Sequence, residues 1–177
     1  MGPYQKAFDK VNLKLLAVEV WGTEVLMANR PFKSISEMQG TKLRTSDPRL
    51  LARLGISGIA LPIEEVFTGL ATGSVDAAEF GHLSYNDGLG LTDITKYGIW
   101  PDFWNVHNTT TVVVNKDAWD QLPPDLQMIV ELAFKAREFQ HWSRAQWESA
   151  VLMKELRDSG KMEFLRLDPA DFARMRK

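Results

Sequence analysis

The stretch KLRTSDPRLLARLGISGIALPIEEVFTGLATGSVDAAEF, Lys42 to Phe80, sets the fold class. Lys42 to Thr45 reads as a short strand. Ser46-Asp47-Pro48 then supplies a helix start: a side chain that caps the first N–H groups, and a proline whose fixed φ suits the first turn. That helix runs to Leu54 and stops at Gly55. Ile59 to Leu61 reads as a second strand. Pro62 opens a second helix with Val66, Phe67 and Leu70 on one face, Gly73 closes it, and Val75 to Phe80 is a third strand. Strands alternating with short helices indicate an α/β domain on a largely parallel sheet. Ligands meet such sheets at the carboxyl ends of the strands, where this reading puts Arg44 and Glu79.

Working outward, Tyr4, Ala7, Phe8 and Val11 share a helical face that ends at Asn12. Leu13 to Val20 and Glu24 to Ala28 read as strands joined by a turn at Trp21-Gly22-Thr23. Ser34-Ile-Ser-Glu37 has the form of a capping box opening a short helix that stops at Gly40. Thr109 to Val114 is β-branched throughout and reads as a buried strand. From Pro123 to about Asp158 no Gly or Pro follows the first turn, and apolar residues from Leu126 to Ala145 recur at three- and four-residue spacing, which predicts one very long helix. A strand, Met162 to Leu167, and a helix from Asp168 close the chain. Gly88-Leu-Gly90 reads as a helix end and turn rather than a phosphate loop.

Composition removes several function classes. The 177 residues carry no cysteine, which excludes disulfides, thiol nucleophiles and Cys-ligated metals. A net charge of −2, with Lys and Arg scattered, gives no basic surface for nucleic acid. His82, His107 and His141 lie far apart in sequence, and HExxH, GxSxG and P-loop motifs are absent. No apolar run is long enough to span a bilayer. No signal peptide is visible, since Met1-Gly2-Pro3 leads straight into a polar helical stretch; the expectation is a chain that starts inside a longer sequence.

The constellation with chemical content is Arg44, Glu79 and the aromatic run Trp100-Pro-Asp-Phe-Trp104. A guanidinium at a strand end grips a carboxylate through two parallel hydrogen bonds. A carboxylate beside an aromatic holds a hard cation or accepts a hydroxyl proton. On spacing alone each has a plainer reading: Arg44 and Glu79 as surface or ion-paired residues, Phe103 and Trp104 as core.

Two longer runs bear on that choice. Leu54-Gly55-Ile-Ser-Gly-Ile-Ala-Leu61-Pro62 is followed by Glu65-Val-Phe67-Thr-Gly-Leu70-Ala-Thr-Gly73-Ser-Val75-Asp76-Ala-Ala-Glu79. Together they resemble the central signature of the TRAP-transporter solute-binding proteins of the DctP type. The continuation Phe80-Gly-His-Leu-Ser-Tyr85-Asn86-Asp87 is similar to the branch that binds 2-oxo and related monocarboxylic acids, which usually has Trp where this chain has Phe80. Pro31 to Arg44 resembles the family's lead-in to its carboxylate-binding arginine, and Val114 to Gln127 resembles the approach to its long helix. Family members often follow the arginine with Pro or Gly; here Thr45-Ser46-Asp47 stands there. The branch often has Gln after the first strand, where Thr23 and Glu24 are the candidates, and His-Glu where this chain has Trp104-Asn105.

The resemblance implies an α/β fold of the type II periplasmic-binding-protein class, with a mixed or parallel sheet, a long C-terminal helix and the first lobe largely missing. It implies a second ligand-binding lobe over 1–108, a crossover strand over 109–122 that normally contributes to the first lobe, the long helix over 123–160, and a terminal strand and helix over 161–177. It implies a periplasmic receptor, not an enzyme, that binds a small organic carboxylate of the 2-oxo or 2-hydroxy acid type. The ligand would be delivered to the integral-membrane subunits of the transporter. Its ligand-binding residues would be Arg44, Glu79, Phe80, Trp104, Asn105, Tyr85, Trp21 and Glu24. Two roles are open to Glu79: a direct hydrogen bond to the ligand, or chelation with the Phe80 carbonyl of a Na+ or Ca2+ ion that bridges ligand and protein. Uncovered apolar surface on the long helix predicts a homodimer through it. The alternatives are an α/β enzyme acting on an organic acid and a ligand-free assembly module built on the long helix.

Overall fold

The computed structural model describes residues 2–101 and 108–175. Two compact units form, residues 1–21 with 107–145 and residues 22–106 with 146–177.

The first unit contains α1 (Gly2–Asp9), β1 (Leu13–Gly22), β7 (Asn108–Asn115), α7 (Lys116–Asp120) and the first part of α8 (Pro124–Asp158). Asn12 ends α1 as expected, and its φ of 56° is the left-handed conformation that asparagine tolerates. Gln5 joins α1 to β1, its amide donating to the Leu13 carbonyl at 3.2 Å while its oxygen accepts from Leu15 N at 2.9 Å. The ammonium of Lys14 lies 4.9 Å from the Trp119 ring centroid. Glu19 is buried on β1, and both its oxygens accept from Arg137 Nη1 on α8 at 2.7 Å. These ties divide the expected segment 1–108 after Trp21, because β1 finds its partners in β7, α7 and α8.

Two expectations are corrected here. Trp21-Gly22-Thr23 is not a turn: Trp21 and Gly22 continue β1, Thr23 alone separates it from the next strand, and β1 pairs with β7. Thr109 to Val114 forms a strand, but Thr109, Thr110 and Thr111 are exposed rather than buried. Branched side chains fit a pleated surface whether or not it is covered, so β-propensity did not report burial.

The second unit holds a six-stranded sheet in the order β4-β3-β5-β2-β6-β8. Its strands are β2 (Glu24–Ala28), β3 (Lys42–Arg44), β4 (Ser57–Ile59), β5 (Ala77–His82), β6 (Tyr97–Ile99) and β8 (Glu163–Leu165). The sheet is mixed. β3 runs parallel to β4 and β5, and β6 parallel to β8, while β2 is antiparallel to both of its neighbours. Every residue of β2 is buried, and its side chains alternate between two cores. Leu26 and Ala28 join Phe32, Leu43, Leu51 and Ala77 on one face. Val25 and Met27 join Val66, Leu70, Ala78 and Leu156 on the other. A strand covered on both faces reads as an unbroken apolar run, as Val25-Leu-Met-Ala28 does.

The helices follow their sequence signals. Ser34 caps α2 (Ile35–Met38) by accepting from Glu37 N, but the Glu37 carboxylate accepts from Lys33 N, one residue before the capping-box position. Asp47 caps α3 (Pro48–Arg53). α4 (Ile63–Thr72) ends on Gly73 with φ 71°, and buries Val66 and Leu70 while Phe67 stays 42% exposed. α5 (Leu83–Gly88) and α6 (Leu91–Ile94) flank Gly90, whose φ is 75°. The last part of α8 and α9 (Pro169–Met175) complete the unit, with Asp171 accepting from Ile35 N at 2.8 Å.

Close packing of α3 on β4 depends on Gly58. A Cβ there would lie 2.7 Å from Pro48 Cα, a backbone atom that cannot swing aside. The Gly58→Ala variant is expected to lose about 1–3 kcal/mol of stability, the usual range for overpacking, read as a lower urea midpoint at unchanged slope.

Candidate functional site

Arg44 is the last residue of β3. Its guanidinium is anchored by backbone carbonyls: Nη1 donates to Glu79 O at 2.6 Å, and Nε and Nη2 both donate to Leu61 O at 3.3 Å. The Phe80 ring covers it, with the guanidinium carbon 4.8 Å from the ring centroid. Burial pushes the Arg44 pKa down, and the nearby carboxylates of Glu79 and Glu24 oppose that shift. A guanidinium carries five N–H groups. Three are engaged, by Glu79 O and Leu61 O, which leaves one on each Nη nitrogen.

Glu79 is corrected from strand end to strand interior, since β5 runs on to His82. Its setting comes from a register slip. Val25 faces Gly81 and Met27 faces Ala78, so Glu79 and Phe80 together oppose Leu26 alone. One extra residue on one strand is a β-bulge, which breaks the alternation of side chains and re-aims them. Glu79 is 2% exposed, and one carboxylate oxygen accepts from Ser46 N at 3.2 Å, just beyond Arg44. Phe80 is half-buried and stacks on Tyr85, centroids 5.7 Å apart and planes at 18°. Glu24, buried at the start of β2, lies opposite His82 in the register.

Arg44, Glu79, Phe80, Tyr85 and Glu24 thus gather around one end of the sheet. Trp21 belongs to the other unit, where its ring lies 5.3 Å from that of His141. Trp104 and Asn105 lie outside the described residues. Among the described residues no three metal-ligating side chains cluster.

Three contributors were not found from sequence. The Leu61 carbonyl has no side-chain signature. His82, set aside as one of three scattered histidines, sits 5.9 Å from the Tyr85 ring and accepts from Tyr85 N through Nδ1 at 3.3 Å, which caps α5. Asn86 is fully buried, and its amide donates to Gly81 O at 3.0 Å and Val25 O at 3.4 Å, pinning β5 to β2 beside the bulge.

The model of the bacterial extracellular solute-binding proteins, family 7 (DctP), matches residues 3–177. The chain belongs to this family. Its members are TRAP-type periplasmic solute receptors rather than enzymes, and no described helix is long and apolar enough to cross a membrane. Over 106 residues the chain is 32% identical to a monocarboxylate 2-oxoacid-binding periplasmic protein of Nostoc, covering 59% of this chain and 29% of that one. A TRAP periplasmic solute-binding protein of Desulfovibrio salexigens, solved with bound orotic acid, superposes with a TM-score of 0.81 at 26% identity, covering 99% of this chain and 56% of that one. One from Chromohalobacter salexigens, with bound (S)-2-amino-1-propanol, gives 0.85 at 20% identity, covering 99% and 55%. The chain therefore spans little more than half the length of the solved family members it matches, and these confirm the α/β fold with its mixed sheet.

The Asn86 contacts carry an expectation of their own. Asn86→Ala should cost about 1–3 kcal/mol, because two buried carbonyls lose their donor. Asn86→Asp should cost more, because it aims a carboxylate at those same carbonyls. Urea denaturation followed by circular dichroism measures both.

Proposed function

We propose that the chain is the ligand-gripping part of a periplasmic TRAP-type receptor for a small organic acid of the 2-oxo or 2-hydroxy type, which passes its ligand to integral-membrane transporter subunits. The observation that carries this reading is the state of Arg44. It is anchored by Glu79 O and Leu61 O, covered by Phe80, and keeps one N–H on each Nη nitrogen. An arginine held this way loses little side-chain entropy when it binds a carboxylate. Glu79, with Tyr85 and Glu24 near it, supplies the polar contact to the 2-substituent. Trp21, Trp104 and Asn105 are assigned to the same ligand by resemblance. The ligands of relatives vary, from 2-oxoacids and orotic acid to an amino alcohol, so the acid class rests on Arg44 itself.

Pyruvate and lactate titrated into the 15N-labelled protein should shift the Arg44 side-chain Nε–H resonance. Arg44→Ala should weaken binding by about 3 kcal/mol, roughly a hundredfold, and Arg44→Lys should also impair it, since an ammonium cannot reproduce the fork. Unaltered affinity in Arg44→Ala refutes the assignment. Repeating the titration in sodium-free, chelated buffer separates the two roles of Glu79: lost binding supports the bridging cation, and retained binding supports the direct hydrogen bond.

The same reading places a homodimer contact on the first part of α8, where Leu126, Met128, Ile129 and Leu132 are 44–60% exposed. Apolar surface of that kind drives association. Light scattering at micromolar concentration should give the mass of a dimer, and a monomer mass removes this part of the reading.

A further inference from the structure

On the last part of α8, Gln146, Ser149, Ala150, Met153, Lys154 and Arg157 line one cleft of about 250 Å³. Their spacing, i, i+3, i+4, i+7, i+8 and i+11, is one helical stripe. Such a stripe normally packs against its neighbour without a gap. Here a cleft remains, and Thr23, Leu83 and Trp100 complete its lining. The cleft lies wholly within the second unit, and Arg44, Glu79 and Phe80 are not part of its lining; Thr23, on its wall, adjoins Glu24.

Its chemistry is polarised. Leu83, Met153 and the Trp100 indole give an apolar wall. Lys154 and Arg157 share a single carboxylate, Asp158, at 2.5 and 3.6 Å, and the guanidinium of Arg166 lies 5.4 Å from the Trp100 ring centroid. Of the described lining residues two, Lys154 and Arg157, are cationic and none is acidic, which makes that side of the cleft positive. The volume is below the roughly 300 Å³ at which drug-sized ligands begin to fit, so the occupant is a small molecule.

We propose that this cleft is a second ligand site that takes a small flat monoanion, an aromatic carboxylate, with its ring against Trp100 and its carboxylate toward Lys154 and Arg157.

The test uses the full chain and benzoate as the probe, followed by 15N-resolved NMR. Benzoate should shift the Trp100 indole N–H, assigned through Trp100→Phe, together with the backbone amides of Lys154 and Arg157, and should saturate. In Arg44→Ala the same shifts should persist within twofold in affinity. In the double variant Lys154→Glu/Arg157→Glu, whose changes are on exposed side chains and leave the core intact, binding should weaken at least tenfold. Ala150→Trp, which fills the cleft, should abolish it. Shifts that vanish in Arg44→Ala, that survive the charge reversal, or that never appear at Trp100 overturn the proposal.

Discussion

β2 is enclosed on both faces and along both edges, and its pairing with β5 contains one residue too many. That surplus residue is held between two fixed stretches: Met27↔Ala78 and Ala28↔Ala77 are core residues on one side, and on the other Val25 is core and Asn86 ties Val25 O to Gly81 O. The mismatch is therefore confined to Glu79–Phe80. Its carbonyl and side chains leave the regular ladder, so that Glu79 O meets Arg44 Nη1 and the Phe80 ring meets the guanidinium. Arg44, the turn after it and Tyr85 all take their positions from that one slip, and Asn86 secures the strand end beyond it.

The electrostatics fit this setting. Arg44 loses hydration on burial, and the loss is offset by two anchoring carbonyls and by the fields of two buried glutamates. A guanidinium tolerates such a place better than an ammonium because its charge is spread and its donors are fixed in a plane. Glu19 follows the same rule in the other unit, where a buried carboxylate is matched by the two contacts of Arg137.

Elements marked by local chemistry were legible in the sequence. Asp47-Pro48, Gly73 and Gly90 fixed α3, α4 and the turn before α6, because caps and left-handed residues act within a few positions. The long helix was legible because nothing in it breaks one. Strand direction was not: β2 lies antiparallel between β5 and β6, residues far from it in sequence, and no local feature encodes that choice. The bulge was hidden for the same reason, so Glu79 read as a strand end. Arg44 could be located from its strand and from family likeness, but the Leu61 carbonyl beneath it belongs to a backbone whose side chains say nothing about it. Val113 read as core and is 36% exposed, since branching at Cβ records shape rather than cover.

If Arg44 holds the ligand as proposed, the Phe80 ring, 4.8 Å from the guanidinium carbon, has a stereochemical consequence. A carboxylate held by the guanidinium would then carry its neighbouring carbon past the Phe80 ring, which stands on one side of the site. A planar 2-oxo acid presents the same profile on both of its faces. A tetrahedral carbon at that position presents hydrogen to one side and a substituent to the other, so mirror-image ligands meet the ring with different groups. Handedness would then be read by an aromatic side chain that makes no hydrogen bond to the ligand.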